Sequence, residues 1–240
     1  FEQVKAALAP RLNLYPELKQ SFLDMRNVTP FNQDYSSDNN QKLDVPCPTF
    51  DHLDSQTEVT NYINGHDHTW WYGCILPYLP YVSYHIDSRL IGSRMHTWLQ
   101  YGLNIEGEVY FCANYNQRKD PGGDAYTVDP YSDPFCQGYG AGDGRLVYPG
   151  MPKGINGPVS SMRLEEIRAS MEDYEYFYMI DQRIDKYNQI HGTSYTSIRE
   201  KLVADYLPSM FNGTKMQTSF TSETFDNYRL QILEIVDELY

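Results

Sequence analysis

Apolar positions come in short bursts along this chain, and the bursts alternate between a strand-like and a helix-like period. Residues 1–20 carry helical spacing broken near Pro10 and Pro16. Ser21 to Met25 suits a short strand, and residues 30–42 form a polar loop. From Leu43 the rhythm becomes regular. Leu43 to Phe50 is a short apolar run with prolines, and Ser55-Gln-Thr-Glu58 has the spacing of a capping box that opens a helix to Tyr62. Gly65 is placed to end that helix. Thr69 to Leu76 predicts a buried strand. Asp87 is placed to cap a helix whose apolar residues Leu90, Ile91, Met95, Trp98 and Leu99 recur at helical spacing before Gly102. Gly107 to Ala113 predicts a further strand.

Strands alternating with helices predict parallel βα units. Three or four such units are visible, and an open sheet of that size leaves faces and edges uncovered. The fold class expected is therefore α/β: the C-terminal half of a (β/α)8 barrel, followed by a helical C-terminal segment. Residues 115–160 form a long Gly- and Pro-rich connection suited to closing over a barrel mouth, with Tyr115, Tyr126, Tyr131, Phe135, Tyr139 and Tyr148 interleaved. Ser161 caps a long helix to about Gln189 with an apolar stripe of Leu164, Ile167, Met171, Tyr174 and Tyr178, extended by Ile180 and Ile184; His191-Gly192 ends it. Two more helices are predicted, over residues 195–206 and 223–240, the last amphipathic through Tyr228, Ile232, Ile235 and Leu239. The domain reading is thus residues 1–160 as later βα units with the closing loop 115–160, and residues 161–240 as helices packing on the barrel. The chain opens with Phe-Glu-Gln-Val-Lys, without an initiator Met and without a helix N-cap, so an upstream part of the same protein is expected, with any targeting signal on it.

Charge narrows the function classes. A formal net charge of −13 and no basic stripe argue against a nucleic-acid surface, whose affinity comes from phosphate neutralisation. There is no polybasic patch or apolar run long enough to span a membrane. The four cysteines Cys47, Cys74, Cys112 and Cys136 include no C-x-x-C pair, which argues against a structural zinc, and no cofactor is predicted. Aromatic residues reach 15%, with 22 tyrosines, which fits either a Tyr-rich core or a carbohydrate site in which rings meet sugar C–H groups.

In a parallel barrel the loops after the strands build the site. The places that matter are the strand ends near Pro48–Asp51, Tyr72–Pro77 and Phe111–Asn116. Trp70-Trp71-Tyr72 is the densest aromatic cluster, and alternation puts Trp70 and Tyr72 on one face and Trp71 on the other. Tyr72, near the strand's end, has a hydroxyl to place. Phe111 can form an aromatic floor, and Asn114 can both donate to and accept from sugar hydroxyls. Trp71, Tyr72, Phe111, Asn114 and Tyr115 are the expected substrate-binding residues. His66-Asp67-His68 precedes its strand, on the face opposite the site, and reads as a turn; Asp237-Glu238 reads as helix surface. The charged residues Arg163, Glu165, Glu166, Arg168, Asp173 and Glu175 read as a structural network. Asp51, Asp87, Asp129 and Asp143 are loop or cap carboxylates without a convincing second carboxylate, so no catalytic pair is assigned within these residues.

Several runs taken together resemble the catalytic region of glycoside hydrolase family 123. They are Leu-Asp44-Val-Pro-Cys-Pro48; Trp-Trp71-Tyr72-Gly-Cys74-Ile-Leu-Pro77; Ile86-Asp87 followed by Arg94-Met-His-Thr-Trp98; Ile-Glu-Gly107-Glu-Val-Tyr-Phe111-Cys-Ala-Asn114; Gly-Asp143-Gly144-Arg-Leu-Val-Tyr148-Pro-Gly150; and Gly157-Pro-Val-Ser-Ser161-Met-Arg163-Leu-Glu-Glu-Ile-Arg168, ending Glu172-Asp173-Tyr174-Glu175. The resemblance implies a (β/α)8 barrel, usually after an N-terminal β-sandwich, in a secreted-type retaining enzyme. Its substrate would be a terminal N-acetylhexosamine, a β-N-acetylgalactosaminide. The sugar's own 2-acetamido group attacks the anomeric carbon, oriented by an Asp, while the adjacent Glu acts as acid and base. In the family that pair sits on an earlier strand than any read here. Where the family's last strand commonly carries Trp, this chain has Phe111, which keeps the aromatic face and lacks the indole N–H. The alternatives are a non-catalytic carbohydrate-binding or scaffold protein on a degenerate barrel, and a glycosidase of different sugar specificity.

Overall fold

The computed structural model describes residues 47–73, 75, 77–115, 117–119, 125–127, 129–135 and 140–240. The helix, strand and loop expected before residue 43 lie outside the described residues.

The first helix, α1 (Gln56–Gly65), starts where its sequence says it should. The Ser55 side chain accepts from the Glu58 N–H while the Glu58 carboxylate accepts from the Ser55 N–H, a closed capping box. Strand β1 (Trp70–Gly73) follows, then α2 (Leu90–Gly102) and strand β2 (Gly107–Tyr110). β1 and β2 pair in parallel, with Trp71 opposite Glu108 and Tyr72 opposite Val109, and Thr49 bridges Tyr72 in parallel on the other edge of β1. The βα alternation read from the sequence is therefore present, and β2 ends at Tyr110, three residues before the expected Ala113. The helix start differs too. Asp87 lies outside α2, whose N-cap is Arg89; instead of capping through a side chain, Arg89 sends its guanidinium to the Phe220 and Gln217 carbonyls of the C-terminal region. At the other end, Asn104 takes a left-handed conformation and turns the chain back toward β2.

The long connection after β2 is built from hairpins. Strands β3 (Gln117–Lys119) and β4 (Ala125–Thr127) pair antiparallel, as do β5 (Val147–Pro149) and β6 (Pro158–Ser160). Then α3 (Met162–His191) runs for 30 residues, with the Ser161 side chain accepting from the Leu164 N–H and Gly192 closing the helix. The helix expected over residues 195–206 is broken: α4 (Ile198–Lys201) passes into a π turn over Leu202–Tyr206 and then α5 (Leu207–Met210). The Leu207 N–H reaches back to the Leu202 carbonyl, and Pro208, which has no N–H to offer a regular helix, follows. A short hairpin of β7 (Phe211–Asn212) and β8 (Lys215–Met216) leads to α6 (Ser222–Leu239), the amphipathic last helix. The architecture is mixed α/β, and among the described residues each sheet has two strands.

The core lies between α2, α3 and α6. Trp98 is at its centre, with Phe177, Phe225 and Tyr206 at ring distances of 5.1, 4.9 and 6.0 Å. The buried face of α3 matches the predicted stripe only in its extension, Ile180 and Ile184, while Leu164, Ile167 and Tyr174 are half-buried. Arg163, Ser170, Asp173, Phe177, Ile180 and Ile184 turn inward, whereas Met171 and Tyr178 are exposed. The reason is hydrogen bonding. Asp173 receives Arg94 Nε and Nη2 from α2 at 3.2 and 3.3 Å, Trp98 Nε1 at 3.1 Å, and Arg229 Nε from α6 at 2.8 Å. Four donated bonds allow a buried carboxylate where an unpaired one would be prohibitive. By contrast Arg168, with Glu165 and Glu172, makes an exposed ladder that adds little stability.

The C-terminal hairpin returns to the start of the described chain. Thr214 Oγ1 bonds the carbonyls of Phe50 and Leu53 at 2.6 and 2.9 Å, and Lys215 pairs with Asp54. Asp173→Asn keeps the shape of the side chain but removes the charge that pairs with Arg229 and leaves Arg94 only Glu166, at 3.7 Å. It is expected to cost about 3–5 kcal/mol, read as a lowered midpoint in urea denaturation.

Candidate functional site

Alternation along β1 decides which aromatic rings face which way. Trp71 and Gly73 point to the helix layer. Trp71 is completely enclosed, stacked on His96 of α2 at 5.0 Å and met edge-on by Phe50 at 5.3 Å. The expected sugar contact from Trp71 is therefore corrected: no ring face is left for a ligand, and the side chain seats β1 on α2. Tyr72, on the opposite face, is only half-buried, and its N–H is held by the Pro48 carbonyl at 2.9 Å.

Glu108, in register with Trp71, also turns toward the helices. Its carboxylate accepts from the Tyr84 hydroxyl at 2.6 Å and lies 3.0 Å from His96 Nδ1. With Tyr84 donating to Glu108, His96 Nδ1 is the donor in this cluster. Burial, helped by the charge of Glu108, pushes the Cys47 thiol up to about 12, so Cys47 is a buried hydrophobe rather than a nucleophile. Cys47 and Cys112 are both free thiols.

Past the end of β2 the chain presents Phe111, Asn114 and Tyr115. Phe111 is 52% exposed, and its ring lies 5.4 Å from that of Tyr115. Both rest on Gly144, which has φ +70°; a Cβ there would come within 3.0 Å of Tyr115 Cβ and 3.5 Å of the Phe111 ring. The contact therefore needs a residue that is both left-handed and without a side chain. The Tyr115 N–H bonds the Gly144 carbonyl at 2.7 Å, and Asn114 bridges Arg145. Asn114 is exposed, with a weak contact from the Cys112 thiol to its carbonyl oxygen at 3.6 Å. The structure thus brings Phe111, Asn114 and Tyr115 into one patch. Tyr72 reaches the same strand ends through its pairing with Val109, two residues before Phe111.

Of the groups that hold this patch in place, sequence reasoning left Arg145 unassigned and read Arg163 as part of a structural network. Arg145 is completely buried and donates through Nε to the Tyr115 carbonyl at 2.9 Å and through Nη1 to the Asp133 carbonyl. Arg163, at the start of α3, donates to the carbonyls of Tyr84, Gly142 and Arg145 and to the Tyr148 hydroxyl. These two guanidiniums tie residues 140–148 to α3 and to the end of β2. The signal was available: Gly144-Arg145 and Arg163 lie in two of the runs quoted above, as residues far apart in sequence but alike in kind.

Asp143 sits below the patch, accepting from the Tyr110 hydroxyl at 3.2 Å with His85 Nε2 3.8 Å away. The Tyr110 oxygen in turn receives the Gly144 N–H at 2.8 Å. Burial raises the Asp143 carboxyl above its ordinary value, against the opposing pull of His85 and the Tyr110 hydrogen bond. At the first strand end Asp51 goes the other way: burial would raise it, but hydrogen bonds with His52 and Thr49 outweigh that and hold it below the usual carboxylate value. Asp129 is used locally, accepting from the Tyr131 N–H.

Other sequence candidates are placed plainly. His66 Nδ1 lies 2.8 Å from the Tyr62 carbonyl and His68 Nδ1 2.9 Å from Glu106, both before β1 and away from the strand ends. Glu238 accepts from the Tyr187 and Tyr195 hydroxyls on the helical side. Among the described residues no group of three His, Cys, Asp or Glu could hold a metal ion, and no helix is long and apolar enough to cross a membrane.

An aromatic patch with an exposed amide, mounted on buried guanidiniums at the ends of parallel strands, suits a neutral polyhydroxylated ring. Residues 19–180 match the family model described as the glycoside hydrolase 123 catalytic domain. The chain belongs to glycoside hydrolase family 123. A solved family 123 glycoside hydrolase from Clostridium perfringens, studied for glycolipid glycan hydrolysis, has a similar fold: the TM-score is 0.57 at 16% identity, covering 87% of this chain and 34% of that one. This family 123 chain therefore spans about a third of the length of that structure. No curated protein matches it in sequence.

The raised Asp143 makes a pH prediction. Below about pH 4 folded and unfolded chains both hold the proton; as pH rises the unfolded chain releases it first, so the stability contributed by this proton is lost through the folded-state value. Relative to Asp143→Asn, the wild-type chain should lose stability as pH rises above about 4, the ordinary carboxylate value. Parallel stability profiles for the two proteins would contradict this.

Proposed function

We propose that this chain supplies the later βα units and the closing loop of a (β/α)8 barrel in a glycoside hydrolase that removes terminal N-acetylhexosamine, a β-N-acetylgalactosaminide, from a glycoconjugate. The observation that carries the reading is the patch of Phe111, Asn114 and Tyr115 just past the end of β2, beside the parallel strand that carries Tyr72. In barrels of this kind ligands bind at the C-terminal ends of the strands. Family membership supports hydrolysis of a glycosidic bond, and the fold likeness to an enzyme studied for glycolipid glycan hydrolysis supports a substrate of the glycoconjugate type.

The division of labour follows from the groups in hand. Tyr72, Phe111 and Tyr115 offer ring faces to the sugar, the two tyrosines add hydroxyls, and Asn114 offers an amide that pairs with a hydroxyl in either direction. The bond is broken by a retaining, substrate-assisted route: the 2-acetamido oxygen attacks the anomeric carbon as the leaving oxygen takes a proton from the acid, and water then completes the hydrolysis. The Asp that orients the acetamido group and the Glu that acts as acid and base lie upstream of these strands. The raised Asp143 is not used as that acid, because it is enclosed beneath Gly144 by Tyr110 and His85.

Two measurements test the reading. Residues 1–240 alone should not turn over a chromogenic N-acetylgalactosaminide, while the protein carrying the upstream half should; turnover by the shorter chain, or none by the longer one, overturns the assignment, and the second result favours a carbohydrate-binding role. In the active protein, Asn114→Ala should lower kcat/KM by about tenfold, the size of one good hydrogen bond, and Phe111→Ala by about the same through lost stacking area.

A further inference from the structure

We propose that the cavity between the second half of α3, the start of α4 and the last turns of α6 binds a small apolar molecule that ends in an ammonium group. It shares no residue with the sugar patch, and it stands whether or not the hydrolase reading holds. The cavity has a volume of about 460 Å³, inside the range of roughly 300–1,000 Å³ usual for small-molecule sites.

The sequence makes the floor of this cavity apolar. Beyond Asp173 the inward face of α3 continues as Ile180 and Ile184, which meet Ile198 of α4 and Leu239 of α6, all four buried. Such a floor attracts an alkyl body through the area it removes from water. The space above it depends on an irregular helix. After one turn α4 gives way to the π turn Leu202–Tyr206, which sets Ala204 and Asp205 on the cavity wall. π turns are rare and are found disproportionately at functional sites. Ala204 is exposed and carries a single methyl group, so the wall stays open where a longer side chain would close it. The facing wall is fixed. Asn188 holds the Tyr195 backbone through both its amide groups, at 2.9 and 3.0 Å, and Asp181 accepts from the Ile198 N–H at 2.7 Å. A wall already held in place costs a ligand little ordering on binding.

Charge on the walls selects the end group. Among the described lining residues the ionisable side chains with full charges are Glu200, Lys201, Asp205 and Glu238. Lys201 gives its ammonium to Asp205 at 2.7 Å, and that pair cancels. Glu200 and Glu238 remain as uncompensated carboxylates on a chain whose formal net charge is −13. Glu238 is also held in position. The hydroxyls of Tyr195 and Tyr187 donate to its Oε1 at 2.7 and 3.2 Å, which orients the carboxylate and leaves its charge in place. The two tyrosine rings lie 5.9 Å apart beside it. A carboxylate backed by tyrosine rings suits an ammonium, which pairs with the charge and gains from the ring faces. An anionic end would be repelled by Glu200 and Glu238. The amine therefore sits at Glu238 and the apolar body lies along Ile180 and Ile184.

Titration calorimetry on the intact protein with n-heptylammonium, n-heptanoate and n-heptanol tests the site, because the three share a body and differ in the charge of the end. n-Heptylammonium should bind with a Kd of about 1 mM or below, and about tenfold more tightly than the other two. Glu238→Gln keeps the side-chain shape at an exposed position and should weaken n-heptylammonium about tenfold, with n-heptanol unchanged. Ala204→Phe puts a ring into the cavity and should abolish binding of all three, with circular dichroism reporting that the variant is folded. No binding of n-heptylammonium, equal binding of n-heptanoate, or an affinity for n-heptylammonium unchanged by Glu238→Gln overturns the proposal. The last comparison decides it even if Ala204→Phe fails to fold. None of these outcomes bears on hydrolysis, which is read separately from turnover of the N-acetylgalactosaminide.

Discussion

The rest of the structure depends on the buried carboxylate of Asp173. It sits on α3 and receives donors from α2, through Arg94 and Trp98, and from α6, through Arg229. Three helices are thereby placed at one point by directional bonds, and the apolar residues around Trp98 fill the space those bonds define. Apolar packing alone is non-directional and tolerates many arrangements. A buried ion cluster does not, because a misplaced helix would leave a charge without partners.

That placement carries through to the strand ends. α2 supplies His96, on which Trp71 stacks and toward which Glu108 and Tyr84 converge, so the parallel pair β1–β2 is seated against α2 by both rings and hydrogen bonds. The same α3 that holds Asp173 begins with Arg163, whose guanidinium collects carbonyls from the Tyr84 segment and from residues 142–145. The loop that supports Phe111 and Tyr115 is thus tied to the core through the helix that organises the core. Gly144 then sets how closely that loop can approach the rings.

The Phe111–Tyr115 patch is supported by Arg145 and Arg163 rather than by the apolar core. Its geometry is therefore sensitive to buried hydrogen bonds more than to side-chain volume. In the function we propose, sugar binding falls on a few residues that follow β2.

Much of this was legible in the residues themselves. The Ser55–Glu58 box and the Ser161 cap depend on bonds spanning three residues, so the sequence by itself determined where those helices begin, and the apolar runs of β1 and β2 marked them as strands without showing their pairing. Phe111, Asn114 and Tyr115 could be picked out because they follow a strand end directly. What only the tertiary structure decided was direction. Trp71 and Tyr72 are adjacent and chemically alike, yet the position of His96 and Phe50 buries one and leaves the other half-open. The inward face of α3 carries Arg163, Ser170 and Asp173 instead of Met171 and Tyr178, because their partners lie on α2, on α6 and in the loop before the helix, 18 to 79 residues away in the cases of Arg145 and Arg94. Hydrophobic periodicity records which residues avoid water; it holds no record of a distant donor that makes a charged side chain the better one to bury.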